Sequence, residues 1–260
     1  MQLGAPDSAV GPSAERITAQ PGARTVDAWK QYGQGDAAVD ALRGVSVEFA
    51  SGSFTAIAGP SGSGKSTLLH CVAGLDRLTS GQAFIGDLEV STLSENEAAI
   101  MRRNRVGFVF QSFNLLPSMT VHENIVLPCS ISRTAIDTDW LDHLVGVLGL
   151  GERLEHRPAE LSGGQQQRVA VARALAPHPE VVFADEPTGN LDTRAGTELL
   201  ELLVGVVRST GQTVVMVSHD PRALGFADRA VFLVDGRLVA DLADPTADSV
   251  LDQVRFLETR

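Results

Sequence analysis

"FTAIAGPSGSGKSTLLHCVAGL", Phe54 to Leu75, runs a short apolar stretch into a glycine-rich loop and then into a helical pattern. That order describes a buried strand, a phosphate-binding loop and a helix whose first turn offers free N–H donors. Within Gly59, Pro60, Ser61, Gly62, Ser63, Gly64, Lys65, Ser66 and Thr67, the three glycines let backbone N–H groups wrap the phosphates of a bound nucleotide. Lys65 is expected to reach the β- and γ-phosphates, and Ser66 to ligate magnesium. Of the 21 basic residues only Lys30 and Lys65 are lysines. A compact ammonium acts as a point charge where a planar guanidinium fork does not fit, which ties Lys65 to the chemistry of the loop.

Outward from this loop, further apolar runs stand at Val106–Phe110, Val181–Ala184, Thr213–Val217 and Ala230–Val234, separated by helical patterns. The rhythm predicts a largely parallel sheet. "VSVEF", Val45 to Phe49, alternates apolar and polar residues, turns at "ASGS", and with Phe54–Ala58 reads as a hairpin. Between Gln111 and Leu161 the strand-like runs stop, and "WLDHLVGVLGL" carries its apolar residues at helical spacing, so this region reads as a helical insertion. Residues 1–24 are rich in Ala, Gly, Pro and Ser and read as a disordered tail, with order beginning near Thr25. The C-terminal "SVLDQVRFLETR" predicts a short amphipathic helix.

Composition narrows the function classes. A chain of 260 residues with 43% hydrophobic content suffices for a large α/β core. Its net charge of -11 would repel a phosphate backbone, and no nucleic-acid partner is expected. The one basic knot, Arg102, Arg103 and Arg105, has no assigned role. Cys71 and Cys129 lack metal-ligand spacing and suit a reducing cytosol as small, at least half-buried residues. No apolar run reaches the roughly 18 residues of a membrane span, and no signal-peptide order opens the chain, so a cytoplasmic location is expected.

Four more places carry candidate chemistry. "VVFADEP", Val181 to Pro187, ends a strand in two carboxylates that should diverge: Asp185 can hold magnesium while Glu186 orients the attacking water. His219 follows the run Thr213–Val217 and could bond the γ-phosphate if that strand neighbours the one feeding the phosphate loop. Gln111 follows Val106–Phe110 and could reach magnesium or the water through its amide oxygen. In "LSGGQQQRVAVARAL", Ser162 reads as an N-cap before a glycine pair and an apolar helix, a second anion-binding helix start.

In this order the motifs resemble the ATP-binding cassette family, from about Val26 to about Ala240. "GPSGSGKST" is similar to its Walker A, Gln111 to its Q-loop, "LSGGQ" to its signature, "VVFADE" to its Walker B, "GNLD" to its D-loop with Asp192, and His219 to its switch histidine. Tyr32 matches the aromatic that stacks on adenine. "FNLLPSMTVHENIVLP", "LSGGQQQR" and "DEPTGNLD" further resemble the subgroup serving lipoprotein-releasing, macrolide-export, peptide-resistance and cell-division permeases. The resemblance implies an α/β fold: a P-loop NTPase (RecA-like) core with a mainly parallel sheet, an N-terminal antiparallel β part and an α-helical insertion. It places the nucleotide-binding domain at 25–240, the helical subdomain at about 112–160 and a C-terminal extension at 241–260.

The implied activity is ATP hydrolysis with Mg2+, energising a separate integral-membrane permease on the cytoplasmic face of the membrane. Two copies would sandwich ATP, with Ser162, Gly163, Gly164 and Gln165 of one facing the phosphate loop of the other. The stretch Phe113–Pro128 is expected to form part of the permease dock. Alternatives are an ATPase that gates a permease-like protein without moving a substrate, and a cassette of DNA repair or translation. The latter is disfavoured, since only about fifty residues separate Gln111 from Ser162, too few for the long coiled coil of repair members, and only one cassette is present.

Overall fold

The computed structural model describes residues 20–258. In chain order the strands and helices are β1 (Ala23–Tyr32), β2 (Val39–Phe49), β3 (Phe54–Ala58), α1 (Lys65–Val72), β4 (Ser80–Ile85), β5 (Leu88–Glu89), α2 (Glu95–Arg105) and β6 (Val106–Phe110). There follow α3 (Val121–Ser132), α4 (Thr138–Val147), α5 (Gly163–Leu175), β7 (Val181–Asp185), α6 (Thr193–Thr210) and β8 (Thr213–Val217). The chain closes with α7 (Pro221–Leu224), β9 (Arg229–Val234), β10 (Arg237–Ala243) and α8 (Ala247–Glu258).

Two sheets result. One is antiparallel in the order β2-β1-β4-β5; the other runs β10-β9-β3-β8-β7-β6 and is parallel from β9 to β6. Each buried parallel strand alternates its side chains between two cores. Val182 and Ala184 of β7 and Val214 and Met216 of β8 meet the helices on one face, whereas Val181, Phe183, Val215 and Val217 meet α1 and the antiparallel sheet on the other. Both faces are covered, so these strands read as continuous apolar runs.

The expected hairpin of Val45–Phe49 with Phe54–Ala58 does not form. β2 pairs with β1, while β3 lies between β8 and β9 in the other sheet. All five residues of β3 are buried and parallel strands hold both of its edges, which leaves no edge for β2. The turn between them passes the chain from one sheet to the other.

Strand β1 begins at Ala23, with Ala23 facing Phe49 and Arg24 facing Glu48. The expected tail boundary at residue 24 is therefore corrected: the ordered chain already includes its last residues, because Ala23 fills a core position at 0% exposure. Residues 1–19 of that tail lie outside the described residues. At the other end β10 runs to Ala243, across the expected boundary at 240, and α8 follows with Val250 buried against α7. The insertion contains α3 and α4. Their starts carry capping bonds, Thr120 with Glu123 for α3 and Asp137 with the Trp140 amide for α4. Both cysteines are buried and free.

Candidate functional site

The carboxyl ends of β3, β8, β7 and β6 lie side by side, and each delivers one group of side chains. After β3 the chain turns at Gly59, φ +143°, where a Cβ would stand 2.0 Å from the Leu233 carbonyl oxygen; no side chain fits there. Gly64, also left-handed, precedes α1, whose first residue is Lys65. Lys65 is 8% exposed, and its ammonium donates to the carbonyls of Gly59 (2.9 Å) and Pro60 (2.8 Å). Burial pushes its pKa below that of a free lysine, with the Glu186 and Asp185 carboxylates pulling the other way. Ser63 is 3% exposed, and its Oγ has no hydrogen-bond partner. A buried hydroxyl without a partner, next to the N–H groups of a helix start, fits an oxyanion such as a phosphate.

Strand β7 ends at Asp185, whose Oδ1 accepts from Ser66 Oγ at 2.9 Å. Its Oδ2 lies 3.3 Å from His70 Nε2, close enough for charge attraction, although Nε2 is too poorly aligned for a good hydrogen bond. Ser66 and His70 sit one turn apart on α1, which turns both toward the same carboxylate. Burial raises the Asp185 pKa, but His70, Ser66 and Lys65 outweigh it and hold the carboxyl below its ordinary range. A hydroxyl and an ionised carboxylate in contact are hard oxygen donors, a pair that fits Mg2+. His70 was not among the sequence candidates; its spacing of four from Ser66 was the available signal.

Glu186 takes the opposite direction. Its backbone is left-handed at φ +48°, and its amide donates to the Val217 carbonyl at 3.0 Å, so the turn is pinned to β8. Glu186 Oε1 lies 2.8 Å from His219 Nδ1, with the glutamate side chain 18% exposed and the histidine 74%. Strand β8 does pair with β3, which is the neighbourhood expected for His219. Gln111 follows β6, and its Nε2 donates to Asn190 Oδ1 at 3.3 Å while Asn190 donates back to the Gln111 carbonyl at 3.0 Å. Asn190 was not foreseen. Neither was Gln167, which is 0% exposed and donates to the carbonyls of Phe110 (3.1 Å) and Pro187 (2.7 Å), joining the ends of β6 and β7.

The second anion-type helix start is built as its sequence predicts. Ser162 caps α5, accepting from the Gln165 amide, while Gln165 Oε1 accepts from the Ser162 amide at 2.9 Å. Gly163 and Gly164 open the helix, and Gly163 faces Phe113 and Leu191. Asp192 caps α6 through the Ala195 amide at 2.9 Å. Helix α5 packs on α3, β6, α6 and α4, whereas α1 packs on β1, β2, β4, β7 and β8. The two helix starts thus belong to different layers of one chain. Tyr32, at the end of β1, is 44% exposed and donates from its hydroxyl to Asp76 Oδ2 at 2.6 Å.

A parallel sheet with a glycine loop, a lysine, and a serine–carboxylate pair at its carboxyl edge defines the class of P-loop nucleoside triphosphatase domains. Residues 42–189 match the ABC transporter family, and the chain belongs to it as an ABC transporter ATP-binding ATPase domain. An uncharacterized ABC transporter ATP-binding protein of Thermotoga maritima is 48% identical over 215 residues, covering 82% of this chain and 92% of the relative. The lipoprotein-releasing system ATP-binding protein LolD of Anaeromyxobacter dehalogenans is 47% identical, covering 82% and 90%. The macrolide export ATP-binding/permease protein MacB of Marinobacter nauticus is 45% identical, but this chain spans only 34% of its length. Among solved structures, the dimeric ABC transporter cassette MJ0796 superposes with a TM-score of 0.77 at 37% identity, covering 85% of this chain and 98% of that one. A dimeric post-hydrolysis state of the same cassette, bound to ADP and Pi, gives 0.76.

Proposed function

We propose that this chain binds and hydrolyses Mg-ATP, closes on a second copy of itself, and thereby drives a separate membrane permease. The observation that carries the reading is the convergence of Lys65, the Ser66–Asp185 pair and the Glu186–His219 pair at one sheet edge. In this reading the loop Gly59–Thr67 wraps the phosphates and Lys65 moves from the Gly59 and Pro60 carbonyls to the β- and γ-phosphates. Ser66 and Asp185 hold Mg2+, with Gln111 completing its surroundings. The ion, when bound, neutralises charge on the β- and γ-oxygens. Glu186 takes the proton of the attacking water as the bond from γ-phosphorus to the bridging oxygen breaks. His219 keeps that carboxylate in place through Nδ1 and leaves Nε2 free for the γ-phosphate. Tyr32 stacks on the base.

Two anion-binding helix starts in different layers favour a site shared between chains: Ser162, Gly163, Gly164 and Gln165 of one copy close on the γ-phosphate held by the other, with Asp192 nearby. The dimeric cassettes similar to this chain support that arrangement. Among the described residues no helix is long and apolar enough to cross a membrane, and the relatives carry transporter names. In this reading the protein works at the cytoplasmic face through its permease. The dock combines the stretch Phe113–Pro128, with its exposed Leu116, and the adjoining groove of about 600 Å3 between the sheet edge and the insertion, lined by Ile100, Arg103, Phe108, Leu127, Pro128 and Ile131. Its rim includes the C-terminal end of the stretch Phe113–Pro128.

Glu186→Gln tests the chemistry. It should leave ATP affinity near that of the wild type and lower turnover by about 10² to 10⁴. Nucleotide titration and steady-state phosphate release on the purified variant measure both, and near-normal turnover removes Glu186 from the mechanism.

A further inference from the structure

The end of β1 carries a polar cluster that the phosphate chemistry does not use. Lys30 Nζ donates to Asp76 Oδ1 at 2.6 Å and to the Arg77 carbonyl at 2.8 Å, and the Tyr32 hydroxyl donates to the other oxygen of Asp76 at 2.6 Å. The Asp76 carboxylate also accepts from the Arg77 amide at 2.7 Å. The Lys30 side chain is 11% exposed, and its ammonium lies 4.6 Å from the centroid of the Tyr32 ring. The loop behind Asp76 is laced to the same strand, the Thr79 amide donating to the Trp29 carbonyl at 2.8 Å and the Gln31 amide to Thr79 Oγ1 at 2.9 Å.

An exposed tyrosine at a strand end ordinarily samples several rotamers, and ordering it on binding costs affinity. Here two constraints act on one ring. The cation occupies one face, and the carboxylate holds the hydroxyl by a charge-assisted bond. Burial, with the Asp76 bond second, pushes the phenol pKa up to about 12, so the hydroxyl stays a donor. Burial raises Asp76, but the bonds from Lys30, Tyr32 and the Arg77 amide outweigh it and hold the carboxyl below the usual range. At neutral pH the phenol is therefore protonated and the carboxylate charged.

We infer that Asp76 and Lys30 are positioning residues that fix the Tyr32 ring, with one face closed by the ammonium and the other left open to a flat aromatic base. This rests on the reading of Tyr32 as the base platform. The pair contributes to recognition of the base and not of the phosphates. It gives a reason for a lysine at position 30, one of only two in the chain, at a site where a point charge fits beneath the ring and a guanidinium fork would itself fill the stacking plane.

The experiment compares the affinities of the full chain for ATP and for inorganic tripolyphosphate by calorimetric titration, in Tyr32→Ala, Tyr32→Phe, Asp76→Asn and Lys30→Met. Tyr32→Ala should weaken ATP about ten- to hundredfold, the range that base–aromatic stacking spans, and leave tripolyphosphate unchanged. Asp76→Asn and Tyr32→Phe should each weaken ATP about threefold to tenfold with the same indifference to tripolyphosphate, and Lys30→Met should follow them. Asp76→Asn added to Tyr32→Ala should cost nothing further, because its effect runs through the ring. If Tyr32→Ala leaves ATP affinity unchanged, the base platform itself is wrong. If Tyr32→Ala weakens ATP but Asp76→Asn does not, or weakens ATP and tripolyphosphate alike, or adds its full effect to Tyr32→Ala, the positioning role is overturned while the platform stands.

Discussion

Gln167 shows how much a single residue can contribute without touching a ligand. Its amide nitrogen bridges the Phe110 and Pro187 carbonyls, so the ends of β6 and β7, which carry Gln111 and Glu186, are held at a set spacing. Gln167→Ala strands two buried carbonyls, and such a loss costs about 1–3 kcal/mol. Thermal and denaturant unfolding of the variant should show a drop of that size, with turnover reduced further than ATP affinity. Gln167→Glu should be no better, since a carboxylate cannot donate to either carbonyl. Gly59→Ala is expected to be more damaging still, because its Cβ meets a backbone oxygen at 2.0 Å that no rotamer change can move. Insoluble or strongly destabilised Gly59→Ala, alongside a well-folded Ser61→Ala, would match this; Ser61 is exposed on the same loop. At this scale the motif residues were legible, since glycine, lysine and carboxylate at fixed spacing state their chemistry directly. Gln167, Asn190, His70 and Asp76 were not, because their roles depend on partners that are distant in sequence or on burial.

Among the elements, the insertion divides its apolar residues between two tasks. Val121, Ile125 and Val126 of α3 are buried with Leu141 and Leu144 of α4, whereas Leu116 is 41% exposed and its amide is fixed by Asn124 Oδ1 at 2.8 Å. The stretch Phe113–Pro128 is thus part core and part surface, a division that helical spacing alone does not assign before the packing partner is known. Leu116→Asp should leave the unfolding temperature and basal hydrolysis close to wild type, since the side chain points outward. Under the docking proposal it should also reduce co-purification with the permease. Loss of basal hydrolysis and of binding together would make Leu116 a structural residue and end its part in the dock. Helix α8 is a contrasting case: its amphipathic pattern was plain, but its seat beside Lys65 and the Glu186–His219 pair was not. Val254 and Leu257 share a cavity of about 370 Å3 with Lys65, Glu186 and His219.

Taken whole, the molecule is an α/β fold of two sheets whose helices α1 and α5 start in different layers, and under the proposed function this yields a test of assembly. Lys65→Ala chains mixed with Ser162→Arg chains would, in a shared-site dimer, form one composite site from an intact phosphate loop and an intact capped helix. ATP-dependent association, read by energy transfer between differently labelled chains, should exceed that of either variant alone. No gain over the separate variants, where wild-type chains do associate, would count against sharing. A second prediction concerns acid. Arg229 donates to both oxygens of Asp241 (2.8 and 2.6 Å) and to the Glu48 carbonyl, tying β10 to β9 and to β2. The arginine bonds hold the Asp241 carboxyl below its usual range, so its contribution is present above the unfolded value near 3.9 and is lost as pH falls through the folded one. The unfolding temperatures of wild type and Asp241→Asn should differ by a constant amount from neutrality to about pH 5 and converge below about pH 4. The amino-acid sequence by itself determined the phosphate loop, the order of the motifs, the parallel α/β class and the helical insertion, because each is written in local spacing, turn chemistry or periodicity. Only the tertiary structure decided which sheet takes β2 and which takes β3, where β1 begins, and which polar residues stand behind Tyr32, Asp185 and Glu186. Those outcomes depend on competition for strand edges and on burial, which are properties of the packed chain and of no short segment within it.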